Sequence, residues 1–186
     1  HRIEELTLTD ALTGLPNRRQ LAEHVAQASQ RSRHEGGSFA LLLVDLDRFR
    51  HINDSLGHET GDRVLIDVAQ RIQSCMRSDD LLARTGGDQF ALLVEGADTA
   101  VAEAAARRVL DAVAAPYNLD GAQFTLTCSI GGALCPGNGH SADELIRHAE
   151  AAVLAVKEGG RGNYRVQKGR RGGDRRADIQ LDHAMR

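Results

Sequence analysis

The sequence predicts an α+β fold, and three observations carry that reading. Residues 39–46 form a continuous apolar run that ends among the acids Asp45 and Asp47, the pattern of a strand buried on both faces. Val64, Leu65, Val68, Ile72 and Met76 recur at helical spacing, which places a core-facing stripe on a helix over 59–76. Two further apolar runs, 81–83 and 90–94, flank Gly86-Gly87. That is the pattern of a tight β-hairpin, because the favoured two-residue turns need positive φ and glycine adopts it without steric cost. Helices and strands are therefore mixed, with the hairpin in the middle of the sheet.

The remaining elements follow in order. A helix fits 18–35, with Asn17 as its N-cap and Gly36-Gly37 as its stop. A short helix covers 49–56 and is broken by Gly57-His58. Residues 99–114 are rich in alanine and helical. Phe124, Leu126, Cys128 and Ile130 alternate, which predicts one strand over 124–134, paired with a short one near Tyr117 across Asp120-Gly121. Ser141-Ala-Asp-Glu144 is a capping box that opens a helix running to Glu158, closed by Gly159-Gly160. Residues 164–167 read as a last edge strand.

Composition narrows the function classes. With 186 residues the chain has the length of one domain, and its 41% hydrophobic content is that of a globular protein. No apolar run approaches the roughly 18 residues that span a bilayer, so no membrane contact is expected of this domain. A net charge of −3 argues against non-specific nucleic-acid binding. The three cysteines lack metal-ligand spacing and read as small core residues in a reducing compartment. Residues 1–8 read as the end of an upstream linker helix. Residues 168–186 read as a basic, glycine-rich linker, and 9–167 as the domain between them.

The acids carry the chemistry. Asp45 ends a buried strand and Asp88 sits at the hairpin tip, so adjacent strands would bring two carboxylates to one sheet edge. Such oxygens suit Mg²⁺, which takes one or two carboxylates plus substrate phosphates. Paired ions would stabilise the attacking and leaving oxygens of an in-line phosphoryl displacement. Asp47 has the position of a cap for the following helix. Asn53 and Asp62, nine residues apart around the Gly57-His58 turn, can line one pocket, and a carboxylate matches the N1 and N2 edge of guanine. Lys157 and Arg161 stand at the end of the last helix, where they can neutralise phosphates or compensate the helix dipole.

Five segments recur together in order: Asp10-Ala-Leu-Thr-Gly-Leu-Pro-Asn-Arg18, Val44-Asp-Leu-Asp-Arg-Phe49, Asn53-Asp54…Gly57-His58…Gly61-Asp62, Arg84-Thr-Gly-Gly-Asp88 and Lys157…Gly160-Arg161. Over about residues 6–167 the chain resembles the GGDEF domain of bacterial diguanylate cyclases. The resemblance implies a palm-like, mostly antiparallel sheet flanked by helices, similar to class III nucleotidyl cyclases. It also implies a cytoplasmic domain that works as a homodimer: two GTP-loaded domains face each other and form cyclic di-GMP and pyrophosphate. By motif position, Asp45, the Leu46 carbonyl, Asp88 and Gln89 hold Mg²⁺ or Mn²⁺, and Asp88 deprotonates the 3′-hydroxyl. Gly86 and Gly87 admit the α-phosphate, Asn53 and Asp62 read guanine, and Lys157 and Arg161 hold the terminal phosphates. Phe49 and Arg50 lie on the phosphate side. Arg77 and Asp80 match the family's RxxD inhibitory site for cyclic di-GMP.

Two departures from the pattern bear on activity. The family's second metal-coordinating acid is replaced by Gln89, which keeps an oxygen but loses the charge. The last helix keeps an acid at Glu150 but has Leu154 where the family tends to have tyrosine. Three expectations follow: a diguanylate cyclase, slowed by Gln89; a non-catalytic GTP-binding regulator of a neighbouring EAL phosphodiesterase domain, whose lead-in the segment from Gly169 to Arg186 resembles; or a cyclic di-GMP receptor acting through Arg77 and Asp80.

Overall fold

The computed structural model of the chain describes residues 7–119 and 121–167. Most of the expected terminal segments 1–8 and 168–186, and Asp120 of the expected turn, lie outside the described residues. The elements run α1 (Arg18–Glu35), β1 (Phe39–Leu46), α2 (Phe49–Leu56), α3 (His58–Gln73), β2 (Leu81–Gly86), β3 (Gln89–Glu95), α4 (Thr99–Ala114), β4 (Tyr117–Leu119), β5 (Ala122–Phe124), β6 (Cys128–Cys135), α5 (Ala142–Glu158) and β7 (Tyr164–Val166).

Five strands form the main sheet in the order β2-β3-β1-β6-β7. All neighbours are antiparallel except β6 and β7, so the sheet is the mostly antiparallel one expected. Central β1 explains its own sequence, because both faces are covered. Leu41 and Leu43 pack with Leu21 and Val25 of α1 and Leu145 and Ala149 of α5. Ala40, Leu42, Val44 and Leu46 pack with Val64, Val68 and Ile72 of α3 and Ala106 and Val109 of α4. Two core layers on opposite faces leave no solvent side to alternate with.

The helix boundaries obey their caps. Asn17 accepts from the Gln20 N–H at the start of α1, and Gly36 ends that helix at φ 78°. Both arms of the capping box form at Ser141 and Glu144. Gly57, at φ 94°, is at once the C-cap of α2 and the N-cap of α3, so these two helices meet at one residue.

Four expectations need correction. The hairpin lies at one side of the sheet, with β2 as the edge strand. The strand expected over 124–134 is two strands, β5 and β6, with 125–127 between them. Period-two patterning persists through that break because Leu126 is still buried. Helix α3 ends at Gln73, short of Met76, which still packs against the core after the helix has turned away. The tight turn is Gly87-Asp88, with a bulge in β2 between Arg84 and Gly86, and neither Gly86 nor Gly87 has a left-handed φ. Glycine is therefore not required there by the backbone; it leaves the turn bare.

No helix among the described residues is long and apolar enough to cross a membrane.

Candidate functional site

The ladder brings the acids together. Asp45 pairs in register with Gln89 on one side and Ser129 on the other, and the Leu46 N–H donates to the Asp88 carbonyl at 3.0 Å. Burial raises the Asp45 pKa; Lys157 partly offsets this, and the nearby charges of Asp88 and Asp47 push it further up. Lys157 Nζ bridges the two β1-end acids, 3.3 Å from Asp45 and 3.5 Å from Asp47. Among the described residues no group of three or more His, Cys, Asp or Glu side chains is placed to hold a metal unaided. The oxygens present do fit a hard divalent ion that shares its shell with a ligand: two carboxylates that repel each other, a backbone carbonyl and an amide oxygen.

One arginine fixes the turn. Arg84 Nη1 lies 3.1 Å from both Asp10 oxygens. Its Nη2 donates to the Gly87 carbonyl at 2.8 Å and its Nε to the Gly86 carbonyl at 3.2 Å. Asp10 is held in turn by the Thr13 N–H and hydroxyl at 2.9 and 2.8 Å. Burial alone would raise the Asp10 pKa, but the bonds from Thr13 and Arg84 outweigh it and hold the acid below its usual range. On the outer side a Cβ built on Gly87 meets nothing within 4 Å, so the turn's backbone is open to a ligand. Gln89 points its amide oxygen at Thr85, whose hydroxyl donates to it at 2.9 Å.

A cleft of about 590 Å³ opens beside this turn, lined by Phe49, Arg50, Asn53, Asp54, His58, Asp62, Leu65, Arg84, Gly87 and Asp88. The shared cap at Gly57 sets Asn53 and Asp62 on the same cleft from successive helices. Asn53 is seated on a glycine: a Cβ on Gly61 would fall 1.8 Å from its Oδ1. Gly61→Ala must therefore displace the Asn53 amide, which the Asn53 side-chain NH2 signals should report by NMR while α2 and α3 stay folded by circular dichroism.

Asp47 overturns its expected role. The N-cap of α2 is Arg48, in the left-handed region at φ 56°, and no side chain caps that helix. The Asp47 carboxylate, 5% exposed, instead accepts from the hydroxyls of Thr127 at 2.6 Å and Ser129 at 2.7 Å and from the Gly162 N–H at 3.1 Å. Arg161 Nη1 stands 3.9 Å away.

Arg77 and Asp80 lie at the far end of the hairpin from the turn. Arg77 Nη2 donates to the Glu95 carbonyl at 2.6 Å and to Asp80 at 3.4 Å, and Asp80 also accepts the Arg77 N–H at 3.2 Å. Arg77 is half exposed, whereas the Asp80 side chain is 2% exposed.

The family model described as "Diguanylate cyclase, GGDEF domain" matches residues 7–163. The chain belongs to the GGDEF family. It is 38% identical over 182 residues to the bifunctional diguanylate cyclase/cyclic di-GMP phosphodiesterase MucR of Pseudomonas aeruginosa, covering 98% of this chain and 27% of that protein. It is 37% identical over 165 residues to the cyclic di-GMP phosphodiesterase PdeR of Escherichia coli, covering 89% of this chain and 25% of that protein. The chain thus spans about a quarter of the length of these relatives. The GGDEF domain of TpbB (YfiN) from Pseudomonas aeruginosa superposes with a TM-score of 0.82 at 36% identity, over 85% of this chain and 93% of that one. The GGDEF domain of DgcB from Caulobacter crescentus, solved in complex with c-di-GMP, gives 0.80 at 29% identity, over 86% and 92%.

Within this GGDEF domain the expected residues fall into two adjoining groups. Phe49, Arg50, Asn53, Asp62, Gly87 and Asp88 share the cleft; Asp45, Lys157 and Arg161 cluster around Asp47. Gly86 lines a second, smaller hollow on the Asn17–Arg19 side of the turn. Sequence reasoning quoted Asp54 and His58 of the cleft wall, and both partners of the Asp10–Arg84 clamp, within motifs but gave them no role. His58 carried a signal, standing beside the glycine that joins α2 and α3. The clamp carried none, because its partners lie 74 residues apart.

Asp45 has a stability consequence. A carboxyl whose folded pKa is raised binds more protons folded than unfolded, so its contribution falls as pH rises from 3.8 through the folded value. Asp45→Asn is expected to raise the Tm at pH 7 relative to the native domain, and to lose that advantage below about pH 3.8.

Proposed function

We propose that this GGDEF domain binds GTP with Mg²⁺ or Mn²⁺ and, facing a second copy, condenses two GTP into cyclic di-GMP and pyrophosphate. The convergence of Asp45 and Asp88 beside a bare Gly86-Gly87 turn, next to the Asn53 and Asp62 cleft, carries this reading. Asn53 and Asp62 take the guanine edge. Phe49 and Arg50 flank the phosphate path, and the open turn admits the α-phosphate. Asp88 accepts the proton of the 3′-hydroxyl, which attacks the α-phosphate of the nucleotide on the other domain. Lys157 and Arg161 hold the terminal phosphates as pyrophosphate leaves. The bound ion, on Asp45, the Leu46 carbonyl, Asp88 and the Gln89 amide, would supply Lewis-acid stabilisation of the charge that builds on the phosphoryl oxygens. A cytoplasmic setting follows from GTP as substrate.

One observation favours a second reading. The Gln89 amide oxygen is already engaged by Thr85 and has no charge to offer an ion. On that reading the domain binds GTP without turnover and regulates a neighbour, an EAL phosphodiesterase domain joined through 168–186. GTP turnover on a forced dimer, native beside Gln89→Glu, separates the two. Cyclic di-GMP from the native domain supports the cyclase. Product from Gln89→Glu alone removes it and leaves the regulator, which in turn requires GTP binding that weakens on Asp62→Ala. The Arg77 and Asp80 pair is the proposed cyclic di-GMP site; unchanged affinity for that dinucleotide in Arg77→Ala ends that proposal.

A further inference from the structure

Asp47 has no task in the reading above: it neither caps α2 nor lines the cleft, yet it is the most enclosed acid near the site. Resting on the GTP-site reading, we propose that Asp47 is the positioning residue of the phosphate clamp. It would fix Lys157, Arg161 and the turn 159–162 for the terminal phosphates, and so set the preference for nucleoside triphosphate over monophosphate without touching the nucleotide.

The partners of Asp47 come from three separate parts of the chain. Thr127 and Ser129 flank the start of β6, Lys157 lies in the last turn of α5, and Arg161 and Gly162 belong to the turn before β7. A carboxylate is buried at tolerable cost only where such donors surround it. The backbone joins in, since the Asp47 N–H donates to the Thr127 carbonyl at 2.9 Å.

The turn it holds is an unusual one. Gly160, Arg161 and Gly162 have φ of 122°, 68° and 64°. For arginine the left-handed region is costly and persists where the surroundings over-determine it. The Gly162 N–H bond to Asp47 and the Arg161 N–H bond to the Val156 carbonyl at 3.0 Å supply that constraint.

Two effects oppose each other when the charge is removed. Losing an anion near the phosphates favours their binding, whereas freeing two long cationic side chains and a strained turn disfavours it. Orientation wins here, because the charge of Asp47 is already taken up by two hydroxyls, one N–H and Lys157 within 3.5 Å. Its removal relieves little repulsion, frees Arg161 and the Gly162 N–H, and leaves Lys157 with Asp45 as its one acidic neighbour among the described residues.

The test is titration of the whole chain with GTP by calorimetry and with GMP by NMR, both in Mg²⁺, for the native protein, Asp47→Asn, Asp47→Ala and Lys157→Ala. Asp47→Asn should weaken GTP about tenfold and move GMP less than about twofold, since GMP has no terminal phosphates to lose. Adding Asp47→Asn to Lys157→Ala should cost clearly less than the sum of the two, because both act on one contact. Equal losses for GTP and GMP, unchanged or tighter GTP binding, or full additivity overturns the proposal. If Asp47→Ala does not fold by circular dichroism, the isosteric Asp47→Asn decides alone. A native chain that binds neither nucleotide overturns the GTP-site reading and this inference with it, an outcome distinct from selective failure of the variants.

Discussion

On the proposed mechanism Asp88→Ala is expected to abolish cyclic di-GMP formation, lowering turnover about 10³-fold or more, because that mechanism uses one carboxylate both as base and as ion ligand. The substitution should leave the fold in place. Asp88 lies in the hairpin turn, and the bond that ties this turn to β1 uses its backbone carbonyl, accepting from the Leu46 N–H at 3.0 Å. The side chain is therefore free of structural duty toward β1, and its loss also removes a negative neighbour that helps to raise the Asp45 pKa. A melting temperature no lower than that of the native domain together with lost product, assayed on a forced dimer of the Gln89→Glu background if the native domain is silent, is the expected result. Residual product near the parent level would remove Asp88 from the chemistry.

Among alanine substitutions of the described glycines, Gly131→Ala should be the most damaging. Its Cβ would stand 2.3 Å from the Ala149 carbonyl oxygen and 2.5 Å from the Val153 nitrogen, so it meets the backbone of α5 rather than a side chain that can rotate away. Helix α5 lies directly on β6 at this point, with Ala149 and Val153 in the same core layer as β1. The helix has to lift, at a cost of about 3 kcal/mol, which corresponds to roughly 6–12 °C in Tm for a domain of this size. Because Lys157 lies in the last turn of α5, the same lift should, on the proposed reading, weaken GTP binding in whatever fraction remains folded. Thermal unfolding checks the first effect and calorimetry the second; a Tm within about 2 °C of the native value would mean that α5 adapts.

The two variants show what was legible and what was not. β1 was readable because burial on both faces leaves a continuous apolar word from Phe39 to Leu46, and α5 because its capping box is written into adjacent residues. Asn53 and Asp62 were readable as a pair because one glycine separates two short-range patterns. The hairpin turn was placed to within a residue but explained wrongly. Sequence alone does not show whether a glycine in a turn needs positive φ, and Gly86 and Gly87 do not. Asp47 was misjudged for a related reason. An acid just before a helix is usually its cap, and nothing local announces donors at Thr127, Ser129 and Gly162. The break between β5 and β6 was hidden because Leu126 keeps the alternating pattern while the backbone leaves one sheet and enters another.

The Asp10–Arg84 clamp has a practical consequence for anyone cutting this domain into fragments. A piece begun at Leu15 would keep every described strand of the sheet, the caps of all five described helices and each side chain of the cleft wall. It would nevertheless release Arg84 Nη1 from its only acidic partner among the described residues and leave the carbonyls of Gly86 and Gly87 held by an untethered guanidinium. Such a fragment should melt as a folded protein and still present a badly shaped floor to a phosphate, so folding and competence part company at residue 10.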